Sequence, residues 1–356
     1  AALGLTLQEA ENAFARAIVD KGRLDEDSLQ IIFEEKNQVI KKTGILEFVK
    51  SDMNIKDVGG LENMKRWLEK RNNSWLDMAK EYNLPAPKGM LITGVPGCGK
   101  SRTAKAASAM WKLPLLKLDM GRIFSGIVGS SEENMRRAIA TAEAVSPSVL
   151  WVDEIEKGLG GLSGGSGGDS GTTTRVFGTF LTWMQEKKAP VFVLATANNI
   201  QGLPPELLRK GRFDEIFFVD LPTERERKEI FRVHLEKRLT SDYLRKRLTI
   251  DNALLEHLAE ISEGFVGAEI EQAVITALYE AFFNQRPLEL TDLEYAIQNT
   301  VPLSVTQKEQ IVALRNWANV RAVAATAKED MKEYAKAAEG DDGDVSASRG
   351  GRTLDF

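Results

Sequence analysis

Gly94-Val95-Pro96-Gly97-Cys98-Gly99-Lys100-Ser101 decides how the rest of the chain is read. Two glycines separated by four residues are followed by a lysine and a hydroxyl side chain. The apolar run Met90–Thr93 precedes the loop and a helical stretch follows it, which is the strand–loop–helix setting of a phosphate-binding loop. Glycines let backbone amides turn inward on phosphate oxygens, and the N-terminus of the next helix adds partial positive charge. In that setting Lys100 reaches the β- and γ-phosphates of ATP, and Ser101 is a ligand for Mg2+. Cys98 is the only cysteine in the sequence, so no intrachain disulfide exists. Its reading is a small residue tolerated within the loop. A redox role would require a lowered thiol pKa.

Working outward, four more short apolar runs read as buried strands: Leu115–Leu118, Val149–Val152, Val191–Ala195 and Ile216–Val219. Helical stretches and loops separate them, which predicts a parallel sheet covered by helices on both faces. Val149-Leu150-Trp151-Val152-Asp153-Glu154 ends in two carboxylates about fifty residues after the phosphate loop. Asp153 suits Mg2+, mostly through water, and Glu154 suits positioning and polarising an attacking water. Asn198 follows the strand that ends Ala195-Thr196-Ala197, where an amide could orient the water or the γ-phosphate or simply make a turn. Arg209 and Arg212, in Leu207-Leu208-Arg209-Lys210-Gly211-Arg212-Phe213-Asp214, are either surface ion-pair partners or fingers that neutralise transition-state charge in an adjacent subunit.

The N-terminal segment reads as a helical hairpin. Thr6-Leu7-Gln8-Glu9 has the capping-box pattern, with Leu7, Ala10, Phe14, Ala17 and Ile18 at helical spacing. A second helix opens at Asp25 and stops at Gly44. After Leu221-Pro222 no strong strand remains, and Thr223–Arg238, Asn252–Ile261, Ala268–Asn284 and Asp292–Gln298 read as helices. The organisation is therefore a hairpin over 1–50, an α/β nucleotide-binding domain over 51–221, a helical lid over 222–301, a helical extension over 302–336 and a flexible tail over 337–356. Within the tail, Arg349-Gly350-Gly351-Arg352-Thr353-Leu354-Asp355-Phe356 is a candidate docking segment.

Composition narrows the function. With 43% hydrophobic and 28% charged residues among 356, the chain is that of an ordinary globular protein. No apolar run reaches the ~18 residues of a membrane span. A net charge of −5 weighs against nucleic acid as a partner. The two histidines, His234 and His257, form no His-Glu-x-x-His pair, so a zinc protease of that type is not encoded.

Taken together, these motifs resemble the AAA clade of AAA+ ATPases. The similar segments are Asp57-Val58-Gly59-Gly60, the Gly94–Ser101 loop, Asp153-Glu154-Ile155-Glu156, Asn198, Arg209-Lys210-Gly211-Arg212-Phe213-Asp214 and Gly264-Phe265-Val266-Gly267-Ala268-Glu269. They span residues 54 to about 300. Arg175-Val176-Phe177-Gly178-Thr179-Phe180-Leu181-Thr182-Trp183 and Pro302-Leu303-Ser304-Val305-Thr306 narrow the likeness to a hypothetical AAA+ family encoded in cyanobacteria and algal plastid genomes.

The resemblance implies a P-loop AAA+ α/β fold with a C-terminal helical lid, and a hairpin similar to the lid of an upstream AAA-like module. It lines an adenine pocket with Asp57, Val58, Gly59, His234, Gly267 and Ala268. It counts Gly94, Pro96, Gly97, Cys98, Gly99 and Arg102 with Lys100 and Ser101 in nucleotide binding. It makes Asn198 the first sensor, and Arg209 and Arg212 the inter-subunit arginines, with Arg209 the primary finger. No second-sensor arginine is expected at Gly267-Ala268. The resemblance further implies a homo-oligomeric ring, a hexamer, that remodels or threads protein substrates gripped by Ile127 and Val128, unless these two simply pack under their loop; Gly158–Gly171, rich in Gly and Ser, could line the same channel. Ile127 is aliphatic where the clade often has an aromatic, so grip is expected to be weaker. A cyanobacterial cytoplasm or plastid stroma, and a link to photosynthetic regulation, follow from the likeness alone. The competing readings are a nucleic-acid motor or loader and a nucleotide-gated scaffold; Glu154 argues against the scaffold, since binding alone does not require it.

Overall fold

The computed structural model describes residues 7–22, 44–50, 53, 55–124, 130–159, 170–200, 202–209, 211–330 and 352. The second hairpin helix, Thr6, Ile127 and Val128, most of the Gly158–Gly171 loop, Lys210 and all of the C-terminal tail except Arg352 lie outside the described residues. Seven strands form one sheet: β1 (Leu46–Val49), β2 (Gly89–Gly94), β3 (Leu115–Leu118), β4 (Ser148–Val152), β5 (Val191–Ala197), β6 (Glu215–Val219) and β7 (Val323–Ala324). Their order is β1-β3-β4-β5-β2-β6-β7. The chain divides into two compact units.

The first unit comprises Ala1–Met53, Arg71–Ile92 and Ala104–Ile216. Its strands run parallel from β3 to β5, with Leu115 opposite Val149 and Ser148 opposite Val191. All residues of β4 and β5 are buried, which is why these strands read as unbroken apolar runs rather than alternating ones. The helices α1 (Leu7–Lys21), α2 (Glu62–Lys70), α3 (Asp77–Glu81), α4 (Lys100–Trp111), α5 (Met120–Phe124), α6 (Ser130–Ala144) and α7 (Ser170–Glu186) follow in chain order; of these, α2 and the Lys100–Thr103 start of α4 belong to the second unit. In α6, Met135, Ala138, Ile139 and Ala142 face inward, and the helix packs on α7. Its outer face carries Arg136–Glu132 and Arg137–Glu133 ion pairs at i, i+4 spacing, each a small contribution to helix stability. In α1 the buried side chains are Ala13 and Ala17, while Leu7, Phe14 and Ile18 of the expected apolar stripe are exposed.

Two strands depart from the sequence reading. β1 pairs antiparallel with β3, Leu46 opposite Leu118, adding an antiparallel edge to the parallel sheet. β7 contradicts the expectation that no strand follows Leu221-Pro222: it pairs in parallel with β6, Phe217 opposite Val323. Four and two residues are too few to display a period. Val323 and Ala324 are nevertheless fully buried or nearly so.

The second unit comprises Asn54–Lys70, Thr93–Thr103 and Phe217–Phe356. Its helices are α8 (Glu224–Arg238), α9 (Asp242–Arg245), α10 (Asn252–Ile261), α11 (Gly267–Phe283), α12 (Leu290–Gln298), α13 (Leu303–Thr306) and α14 (Lys308–Arg321), besides α2. Thr223 caps α8 in a reciprocal box with Glu226, and Asp251 caps α10 through Leu254 N, which fixes both starts near the positions expected. Helices α8, α10, α11 and α12 share a core that includes Phe231, Leu235, Leu258, Ile270, Val274 and Leu293. On α14, Arg315 donates to the buried Asp220 carboxylate through Nε at 2.9 Å and through Nη2 at 3.0 Å. In the tail, Arg352 exchanges backbone hydrogen bonds with Ala322 and Ala324 of the same chain.

Candidate functional site

The phosphate loop lies in the second unit. Gly94 has φ +135°, and a Cβ there would sit 2.0 Å from the Val219 carbonyl oxygen, so only glycine fits. Gly97 has φ +79°, and its Cβ would meet Val266 Cγ2 at 2.9 Å. A Cβ on Gly99 would meet nothing within 4 Å, which leaves backbone open to an approaching group. Lys100 is buried, and its ammonium donates to the carbonyls of Gly94 and Val95 at 2.8 Å each. Ser101 is exposed on the first turn of α4. Cys98 packs with Val95, Leu221, Val266 and Ile311. Burial pushes its thiol up to about 12, which favours the protonated form and weighs against a redox role, because the thiolate is the reactive form.

The same unit assembles most of the expected adenine-side residues. Ala268 N donates to Gly97 O at 3.0 Å. A Cβ on Gly59 would lie 2.9 Å from Ile230 Cγ1, and one on Gly267 would lie 3.8 Å from Ile230 Cδ1 and 3.3 Å from Gly97 O. Ile230 is thus the shared wall of Gly59 and Gly267, a residue the motifs did not reveal. Val58 is buried, and Asp57 is half-buried at the end of a short 3-10 helix. The Gly60-Leu61 turn, with φ of +72° and +60°, is pinned by two α8 carboxylates: Glu229 accepts from Gly60 N at 2.9 Å and Glu226 from Leu61 N at 3.0 Å.

His234, one turn beyond Ile230, is 2% exposed. Its Nε2 lies 3.2 Å from an Arg102 guanidinium nitrogen and its Nδ1 lies 3.1 Å from one of Arg238. Burial first, and then the two arginines against the pull of Glu271, push His234 down to about 4, so the ring is neutral at physiological pH.

The carboxylate cluster lies in the first unit. Asp153 and Glu154 form the turn after β4. Thr196, inside β5, accepts from Glu154 N at 2.9 Å and donates to Asp153 Oδ1 at 2.7 Å. Glu154 has φ +49°, a left-handed conformation that costs a non-glycine residue on the order of 1 kcal/mol or more. The Thr196 bond holds it there. Asn198 Nδ2 donates to Glu154 Oε1 at 2.7 Å, and Asn198 N donates to Glu156 Oε1 at 2.8 Å. Lys157 pairs with the other Glu154 oxygen. Thr196 and Glu156 went unread in the sequence, although a threonine within a buried apolar strand was a usable signal.

Arg209 is exposed, and its guanidinium makes no hydrogen bond or ion pair to any described residue. Arg212 is half-buried and donates to the Glu206 carbonyl. Among the described residues no cluster of three or more His, Cys, Asp or Glu is set to hold a metal. The oxygen donors Ser101 and Asp153 suit Mg2+, which keeps several waters and uses substrate phosphates in place of a full protein cage.

Residues 90–221 match the ATPase family associated with various cellular activities (AAA), and residues 1–43 match a SpoVK-like AAA ATPase, second domain. The chain is 47% identical over 315 residues to the uncharacterised AAA domain-containing protein ycf46 of Pyropia yezoensis, covering 88% of this chain and 62% of that relative. It therefore spans less than two thirds of that relative's length. It is 30% identical over 275 residues to a proteasome-activating nucleotidase of Saccharolobus islandicus, covering 76% of this chain and 67% of the relative. The fold is similar to the crystal structure of the FIGL-1 AAA domain in complex with ADP, with a TM-score of 0.63, 23% identity, and coverage of 80% of this chain and 97% of that one.

Proposed function

Because this chain belongs to the AAA family of ATPases, we propose that it hydrolyses ATP with Mg2+ in a ring of identical subunits, a hexamer, and spends that energy on remodelling protein substrates. The observation that carries the reading is the Asn198–Glu154 hydrogen bond of 2.7 Å. A nucleotide-binding scaffold needs the phosphate loop; it does not need a carboxylate on a left-handed backbone at a strand end, fixed by a sensor amide.

In this reading Gly94, Pro96, Gly97, Cys98 and Gly99 supply the backbone cradle for the phosphates. Lys100, Arg102 and Ser101 follow on α4, and Lys100 sets positive charge against the phosphates. Asp57, Val58, Gly59, His234, Gly267 and Ala268 bind the adenosine end. Ser101 and Asp153 would hold Mg2+, which would supply positive charge against the phosphates. Glu154 orients the attacking water and takes its proton, and Asn198 fixes the carboxylate oxygen that does so. Arg209 is the finger offered to an adjacent subunit, supported by its exposed guanidinium, which has no partner among the described residues; Arg212 assists.

Protein is the substrate class we favour, with Ile127 and Val128 as the gripping residues. These two lie outside the described residues. A net charge of −5 disfavours a nucleic-acid motor. Relatives encoded in algal plastid genomes support a plastid stroma or cyanobacterial cytoplasm as the setting. No described helix is long and apolar enough to cross a membrane. A photosynthetic role rests on the resemblance alone. The test is phosphate release from ATP by the purified chain with and without Mg2+: dependence on the ion supports the reading, and nucleotide binding without release leaves a scaffold.

A further inference from the structure

The second unit contains a four-residue polar network that joins Arg102, the His234–Arg238 pair one turn apart on α8, and Glu271. Glu271, near the start of α11, uses its two oxygens separately. Oε2 accepts from Arg102 at 2.8 Å and Oε1 accepts from Arg238 at 2.7 Å. Arg102 lies two residues after Lys100 on the first turn of α4, whereas Arg238 ends α8. One carboxylate therefore joins the helix that follows the phosphate loop to two helices of the lid, which already share a hydrophobic core.

We propose that Glu271 is a positioning residue that clamps the lid to the phosphate-loop helix, so that lid position and nucleotide affinity change together. The inference rests on the nucleotide-binding reading above and deepens it. The charges give the clamp its direction. Arg102 and Arg238 approach opposite edges of His234. A neutral imidazole accepts through only one nitrogen, so its remaining N–H faces a guanidinium donor. Glu271 Oε1, 3.6 Å from His234 Nδ1, supplies the negative charge that holds the two cations on one ring. Without it the guanidinium groups repel, and separating α4 from the lid relieves the repulsion.

The start of α11 carries no arginine of its own, since Gly267 and Ala268 occupy it. Here the arginine stands on the phosphate-loop helix and its anion on the lid. Because Arg102 and Glu271 are each about one-third exposed, salt screens the pair partly, and an ionic-strength dependence marks the clamp as electrostatic.

The experiment measures fluorescent-ADP affinity and ATPase KM and kcat for the wild-type chain, Glu271→Gln, Arg102→Met and the double variant, with thermal melts as a check on folding. Glu271→Gln weakens ADP binding about fivefold or more and raises KM with it, while kcat moves by less than about twofold. The loss shrinks in about 0.5 M salt. The double variant binds no more weakly than the worse single one, because both act through one pair. Should Glu271→Gln fail to fold, Glu271→Asp, which keeps the charge but shortens the reach, carries the same expectation. A folded Glu271 variant with wild-type ADP affinity, or losses that multiply in the double variant, overturns the clamp. If the wild-type chain itself binds neither ADP nor ATP, the ATPase reading fails and takes the clamp with it; wild-type turnover beside an unaltered Glu271→Gln removes the clamp alone.

Discussion

The side-chain amide of Asn198 donates to Glu154 Oε1 at 2.7 Å, and the Glu154 amide donates to Thr196 Oγ1 two residues earlier on β5. β5 and the residue that follows it thus fix both the backbone and the carboxylate of Glu154, the residue proposed to activate water. Asn198→Ala frees that oxygen without removing the base. Turnover is expected to fall on the order of 10²-fold, with ATP affinity within about threefold of wild type. Steady-state ATPase assays beside a nucleotide titration check this. Equal losses in affinity and rate would make Asn198 a binding residue instead.

Arg209 and Arg212 separate by environment. Arg212 is bound to the Glu206 carbonyl, and Arg209 is exposed with no described partner. Arg209→Ala is expected to lose on the order of 10³-fold in turnover, and Arg212→Ala less. Mixing Arg209→Ala chains with Lys100→Ala chains restores activity, because some interfaces then hold one intact phosphate loop and one intact finger. No rescue in verified mixed assemblies would mean that Arg209 does not act across a boundary.

Asp220 and Arg315 predict a stability effect away from the chemistry. The side chains are 4% and 14% exposed and tightly hydrogen-bonded. Arg315→Ala removes the guanidinium partner of a buried carboxylate and is expected to cost about 3–5 kcal/mol, seen as a Tm lower by on the order of 10 °C. Asp220→Asn combined with Arg315→Met removes both charges and recovers part of the loss. A Tm within a degree or two of wild type for Arg315→Ala would contradict the burial argument.

Much of this was legible in the sequence, because the informative residues sit close together along the chain. Gly94–Ser101 and Asp153-Glu154 each carry their chemistry in a few consecutive positions, and the strands behind them are fully buried apolar runs. What escaped reading depends on distance or brevity. Arg102 meets Glu271 across 169 positions, and Ile230 meets Gly59 only because α8 turns it there. β7 has two residues, so it offers no period to detect. The roles of Glu226 and Glu229 in pinning Gly60-Leu61 were hidden for another reason: charged residues on a helix normally face solvent.

His234 gives a pH dependence. It faces Arg102 from α4, Arg238 and Lys237 from its own helix α8, and Glu271 from α11. Its folded pKa of about 4 lies below the ordinary 6.5, so between those values the unfolded chain binds more protons than the folded one. Stability from the neutral ring is present above about pH 6.5 and is lost as pH falls toward 4. Glu271, held below its ordinary value by the Arg238 hydrogen bond and the neighbouring cations despite its burial, adds a loss in the same direction at lower pH. Tm is expected to fall from pH 7 to pH 5 and to fall less in His234→Gln. An equal drop in that variant would assign the dependence to other groups.

The most direct test is the nucleotide fate in Glu154→Gln, which preserves size and hydrogen-bonding shape while removing the base. Bound nucleotide is separated after incubation with Mg2+ and ATP, and turnover is measured in parallel. The account predicts ATP retained at close to the wild-type affinity, with hydrolysis lower by roughly 10²–10⁴-fold. Hydrolysis at the wild-type rate would contradict it, because the Asn198–Glu154 pair would then not be the site of water activation.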